Sequence, residues 1–115
     1  MSGPFITTPD EYASVVSTGK CVVFFTMATC RPCQGIKPVF LQLQNQYARL
    51  GIGFILLDIT RFPELQDMAV KMNVNSFPTF VFYKNGKVVS SFVGADQGKL
   101  IESLRQLANY EFERY

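Results

Sequence analysis

A chain of 115 residues with 48% hydrophobic side chains, eleven Phe among them, is long enough for one domain with a packed core and too apolar for a disordered segment. A formal charge of +2 gives no basic surface for nucleic acid or an anionic membrane, and no apolar run is long enough to span a bilayer. Three cysteines and no histidine are too few for a disulfide framework, or for the four ligands a structural zinc site normally takes. The opening Met1 to Ile6 lacks the basic start and apolar middle of a signal peptide, so a reducing, cytoplasmic compartment is the expectation.

After that short apolar opening, the order Thr8-Pro9-Asp10-Glu11 predicts a helix start, with Thr8 as cap, Pro9 in the first position and Glu11 reaching back to close a capping box. Tyr12, Val15 and Val16 form its inner face, and Thr18-Gly19-Lys20 ends it. Cys21 to Met27 is an apolar run with β-branched and aromatic residues and no Pro or Gly, which predicts a buried strand. Beyond Ala28-Thr29-Cys30-Arg31-Pro32-Cys33, apolar residues recur at Ile36, Val39, Phe40, Leu43, Tyr47 and Leu50, the spacing of a helix with one buried face. Pro38 falls inside that helix and is expected to kink rather than end it.

Gly51-Ile52-Gly53 leads into Phe54 to Ile59, a continuous apolar run of strand length that predicts cover by helices on both faces. A third helix is expected to begin between Thr60 and Pro63 and to carry Leu65, Met68, Ala69 and Met72. Phe77 to Tyr83 and Val88 to Val93 predict two strands joined at Asn85-Gly86, a hairpin-turn signal. Asp96 then caps a last helix whose Leu100, Ile101, Leu104 and Leu107 face the core; Tyr110 to Tyr115 either prolong it or fray. The order β-α-β-α-β-α-β-β-α predicts an α/β fold with a central sheet.

The chemistry concentrates where the second strand hands over to the second helix. Free N–H groups and the helix dipole favour negative charge at that point, and Arg31 adds a fixed positive charge. An ordinary cysteine thiol ionises near about 8.5, whereas one at a helix start in a Cys-X-X-Cys setting ionises at roughly 3.5–7.5. The thiolate is the species that attacks disulfides. Cys30, at the exposed end, is therefore the expected attacker, and Cys33, facing inward, the resolving thiol. Sites in such sheets form at strand ends, which also brings Asp58 into consideration as a proton relay or as an ordinary strand-end carboxylate. A structural pair without turnover, and an iron–sulfur cluster shared by two chains, stay open as alternatives. Cys21 reads as a buried small apolar residue.

Nearly the whole chain, from Phe5 to Leu107, resembles a thioredoxin. The residues that carry the resemblance are Cys30-x-Pro32-Cys33 after a strand, Pro38 five positions on, Ser76-Phe77-Pro78-Thr79, Lys84-Asn85-Gly86-Lys87 and Val93-Gly94-Ala95. It implies one thioredoxin-like domain over 1–115, strand order 1-3-2-4-5 with helices on both faces, and a cis peptide at Phe77–Pro78. It also implies a shallow groove for protein disulfide substrates, bounded by the active-site turn, Phe77-Pro78 and Val93-Gly94-Ala95. No bound cofactor or metal is implied. Electrons would come from thioredoxin reductase or from glutathione, and the protein would act as a monomer.

The sequence departs from that family at three places. Thr29 replaces the aromatic residue before the first cysteine, and Arg31 stands where thioredoxins have Gly. Phe24 and Leu56 replace the buried Asp and Lys beneath the second cysteine, a co-replacement that leaves neither charge unpaired. Thr29, Arg31, Pro32 and Asp58 are thus the residues expected to tune the pair. The losses favour a second reading, a thioredoxin-like binding module that keeps its dithiol as a switch.

Overall fold

The computed structural model describes residues 6–110. In chain order these form α1 (Pro9–Val16), β1 (Lys20–Thr26), α2 (Arg31–Tyr47), β2 (Ile52–Asp58), α3 (Pro63–Lys71), β3 (Thr79–Lys84), β4 (Lys87–Val93) and α4 (Gln97–Ala108), with 3-10 turns at Ala48–Leu50 and Ile59–Arg61. The sheet runs β2-β1-β3-β4, parallel between β1 and β2 and antiparallel from β1 to β3 to β4. This is the expected mixed sheet with one strand fewer. The opening strand of the 1-3-2-4-5 order would fall on the apolar opening that ends at Ile6; Ile6 itself is in no strand, and the rest lies outside the described residues.

Alternation along the strands divides the core between two faces. Cys21, Val23, Phe25, Ile55, Leu57, Val81 and Tyr83 meet Tyr12 and Val16 of α1 and Leu65 and Ala69 of α3. On the opposite face Val22, Phe24, Phe54, Phe80 and Phe82 meet Cys33, Ile36, Phe40 and Leu43 of α2 and Leu100, Leu104 and Leu107 of α4. Because β1 is covered on both sides, five consecutive residues from Cys21 to Phe25 are buried, the run of apolar residues a central strand requires. The aromatic residues of the second face interlock: Phe24 lies 4.7 Å from Phe80 and 5.1 Å from Phe40, and Phe40 lies 5.1 Å from Phe54, between ring centroids. Full burial of each such ring contributes about 1.5–3 kcal/mol.

Local details refine the sequence reading. Thr8 caps α1 by accepting the Glu11 N–H at 3.2 Å, and the Glu11 carboxylate, with the Thr8 backbone as a lesser partner, reaches mainly one residue further back than a capping box would, to the N–H of Thr7 at 2.7 Å and its hydroxyl at 3.0 Å. Those bonds stabilise the charged form and hold Glu11 below the usual carboxylate range. Helix α2 continues through Pro38, whose ring is exposed, so the missing N–H interrupts one bond without ending the helix. The third helix starts only at Pro63, because Asp58 first draws Ile59–Arg61 into a 3-10 turn; Met72 becomes its cap. Strand β3 begins at Thr79, after Pro78. Asn85 and Gly86 both have positive φ, 51° and 85°, as a two-residue hairpin turn demands.

Candidate active site

Register places every sequence-selected residue at one end of the sheet. Thr26, at the end of β1, pairs with Asp58 at the end of β2; Phe25 faces Thr79 at the start of β3, which faces Val93 at the end of β4. Parallel and antiparallel directions thus combine so that the Cys30 turn, Asp58, the Phe77–Pro78 segment and the Val93–Ala95 segment emerge at the same edge. The last two are joined directly, since the Gly94 N–H donates to the Pro78 carbonyl at 2.9 Å. Gly94 has φ 112°, a conformation that side chains rarely adopt, and the peptide Phe77–Pro78 is cis.

Cys30 is the N-cap of α2, with extended backbone, and its sulfur accepts the Cys33 N–H at 3.1 Å. Cys30 and Cys33 form a disulfide with their Cα atoms 5.3 Å apart, within the usual span for such bridges. The two sulfurs are not equivalent. Cys30 is half-buried, whereas Cys33 is 1% exposed and packs in the cluster of Phe24, Phe40 and Phe80. Leu56 packs against that cluster from β2, and apart from the hydroxyls of Tyr12 and Tyr83 on the other face Thr79 is the one buried oxygen- or nitrogen-bearing side chain among the described residues, so no buried carboxylate lies below the pair. Thr29, Arg31 and Pro32 are exposed, and the first turn of α2 contains no acidic residue to offset Arg31.

At the same end of the sheet the surface is apolar: Val93 is 58% exposed, Ala95 is exposed and Phe77 is half-buried, beside a buried Pro78. Asp58 is half-buried, and its Oδ1 receives the Thr60 N–H at 2.9 Å and the Thr60 hydroxyl. That hydroxyl oxygen in turn accepts the Ala28 N–H at 3.3 Å. Thr60 and Gln34, which donates from its amide to the Ala28 carbonyl at 3.4 Å, are site residues that sequence reasoning missed. The Asp-x-Thr spacing of a local side-chain turn was the available signal for Thr60. Cys21 sits on the other face of the sheet, apart from Cys33. Burial pushes its thiol up to about 11.

Comparison with known proteins agrees with this geometry. The thioredoxin family model matches residues 3–106. Thioredoxin of Gallus gallus is 41% identical over 86 residues, 75% of this chain and 77% of the relative, and thioredoxin of Malassezia sympodialis is 35% identical over 102 residues, 88% and 94%. The crystal structure of the Malassezia sympodialis protein superposes with TM-score 0.80 at 31% identity, covering 90% of both chains. Plasmodium falciparum thioredoxin superposes with TM-score 0.78 at 28% identity, over 88% of this chain and 95% of that one. A dithiol at the start of a helix in this fold exchanges with protein disulfides, and the chain belongs to the thioredoxin family of thiol–disulfide oxidoreductases.

Proposed function

We propose that the Cys30 thiolate attacks a protein disulfide and that Cys33 resolves the product. Attack forms a Cys30–substrate disulfide and releases one substrate sulfur as thiolate. Cys33, after losing its proton, attacks the Cys30 sulfur, releases the second substrate thiolate and leaves the Cys30–Cys33 disulfide. The substrate gains two electrons, and the protein must be reduced again by a partner, thioredoxin reductase or glutathione. The observation that carries this assignment is the asymmetry of the pair: Cys30 is half-buried with its sulfur facing the Cys33 N–H, while Cys33 is almost fully enclosed. No bound cofactor takes part in these steps.

Phe77, Pro78, Val93, Gly94 and Ala95 hold an extended substrate segment in this reading, their apolar side chains flanking the disulfide. Thr29, Arg31 and Pro32 shape the approach to Cys30. The protein works as a monomer in the cytoplasm, as part of electron transport that maintains the cell's redox balance; no helix of the described residues is long and apolar enough to cross a membrane. Insulin-disulfide reduction with dithiothreitol tests turnover. A Cys33→Ser variant that accumulates covalent adducts at Cys30 supports the order of attack, and adducts at Cys33 in a Cys30→Ser variant instead overturn it.

A second reading is favoured by the bed of Phe24 and Leu56, which offers Cys33 no proton acceptor. In that reading the groove holds a partner and the dithiol acts as a switch. It predicts no insulin turnover although both thiols titrate in the reduced protein.

A further inference from the structure

We propose that Thr60, oriented by Asp58, is a positioning residue for the reactive turn, fixing the Ala28 peptide from which Cys30 hangs. The proposal rests on Cys30 being the attacking thiol. Hydrogen-bond bookkeeping gives the chain a direction. An ionised carboxylate only accepts, and Asp58 Oδ1 takes both the N–H and the hydroxyl proton of Thr60. A hydroxyl has one proton, so with that proton directed at Asp58 its oxygen presents a lone pair outward. The Ala28 N–H, 32 positions away in sequence, donates to it at 3.3 Å.

The next peptide of the same residue is held as well, because Gln34 of α2 donates to the Ala28 carbonyl at 3.4 Å. The doubly anchored Ala28 lies inside a tight turn, closed by the Cys30 N–H donating to Met27 O at 3.1 Å, after which the Cys30 sulfur meets the Cys33 N–H. Thr60 is half-buried while Ala28 is exposed, so the bond lies at the protein's margin and adds little core stability; its effect falls on the turn. Without it, Ala28 keeps only its bond to Gln34, the turn is held less firmly, and the alignment of the sulfur with the Cys33 N–H is weakened. Asp58 acts here through Thr60 rather than as a proton acceptor for Cys33.

The test uses the reduced full-length chain and follows alkylation of Cys30 by iodoacetamide from pH 5 to 9, read by mass spectrometry, alongside insulin reduction and thermal melting. In the wild type, an ordinary thiol profile at Cys30 would defeat the underlying reading of that thiol, independently of Thr60. Given a reactive Cys30, Thr60→Val should slow its alkylation at pH 7 by roughly 3- to 10-fold, the effect of one hydrogen bond, and move the pH profile upward. Thr60→Ser should restore it to within about twofold. A Thr60→Val profile that superposes on the wild type, whatever the melting temperature, overturns the proposal, as does a Thr60→Ser variant equally impaired. A measurement without substitution covers the case of a poorly folding variant. In the wild type the Ala28 amide should exchange with solvent deuterium about tenfold more slowly than that of Thr29, and equal exchange overturns the proposal.

Discussion

The backbone N–H of Cys33 meets the sulfur of Cys30 across 3.1 Å, so the residue proposed to resolve the intermediate also donates to the residue proposed to start it. Once the disulfide opens, the same donor faces a thiolate, and a hydrogen bond to an ionised acceptor is stronger than one to a neutral sulfur. Arg31 stands one position further along, exposed and with no acid in its turn of helix. Both features favour the anion. Alkylation of Cys30 in the reduced protein should therefore have its midpoint below that of an ordinary thiol, and Arg31→Glu should move it upward. Stabilising the reduced form also makes the pair more oxidising. Equilibration with glutathione should give a potential above the roughly −270 mV of an ordinary thioredoxin, and a value that low removes the role assigned to Arg31.

Much of this site was legible in the residues alone, and the reasons are local. Cys30 and Cys33 follow a strand of five buried residues and open a helix with Pro32 in its first turn, so their position in the fold follows from near neighbours. Phe77-Pro78 and Gly94 are brought beside that turn by strand pairing, which sequence pattern cannot compute and which the resemblance to thioredoxins supplied. Thr60 was not visible in that way. It lies in a segment read as the start of the third helix, and its proposed role depends on its one hydroxyl proton pointing at Asp58 while an amide 32 positions away, that of Ala28, meets the oxygen. The Glu11 carboxylate shows the same limit on a smaller scale, since pattern predicted a reach back to the cap and the backbone turned it one residue further.

On the far face of the sheet, Tyr12 and Tyr83 are 5% exposed and their hydroxyls share one hydrogen bond at 2.6 Å. Tyr83→Phe leaves the Tyr12 hydroxyl without its partner in an apolar cluster, which should cost about 1–3 kcal/mol. Removing both hydroxyls in a Tyr12→Phe, Tyr83→Phe protein should recover much of that loss, because no unsatisfied group remains. Urea unfolding of the two single variants and the double variant measures the coupling. Strict additivity would mean that the bond contributes nothing beyond packing.

The same cluster predicts how stability depends on alkaline pH. Burial raises the Cys21 thiol to about 11 and pushes both Tyr12 and Tyr83 above the ordinary tyrosine value. Below about pH 8.5, the ordinary thiol value, native and unfolded chains hold these protons equally and the stabilisation is complete. Between there and 11 the unfolded chain has released the Cys21 proton while the native chain keeps it, so the unfolded state binds fewer protons and stability falls as pH rises. The tyrosines extend the loss above about pH 10. The urea midpoint of the wild type should decline from about pH 8.5 upward, whereas Cys21→Ala, weaker at neutral pH, should stay level until about pH 10. Parallel declines in the two proteins would exclude Cys21 as the source.

Phe24 has a kinetic consequence for the pair above it. The second thiol must lose a proton before it can attack, and an apolar enclosure disfavours its thiolate. With Phe24 and Leu56 where a buried acid and base would otherwise sit, and no buried carboxylate among the described residues, the expected route for that proton is solvent. Resolution of a preformed mixed disulfide at Cys30 should then accelerate about tenfold per pH unit from pH 6 to 8, since each unit raises the thiolate fraction tenfold below the thiol's own ionisation. Stopped-flow release of a fluorescent thiol from Cys30 reads that rate directly, and a rate flat over this interval would reveal an internal base. Phe24→Ala provides the structural control. It removes the ring that contacts both Phe40 and Phe80, should cost about 3–5 kcal/mol of stability, and should steepen nothing in the pH profile, because it opens space beneath Cys33 without supplying an acceptor.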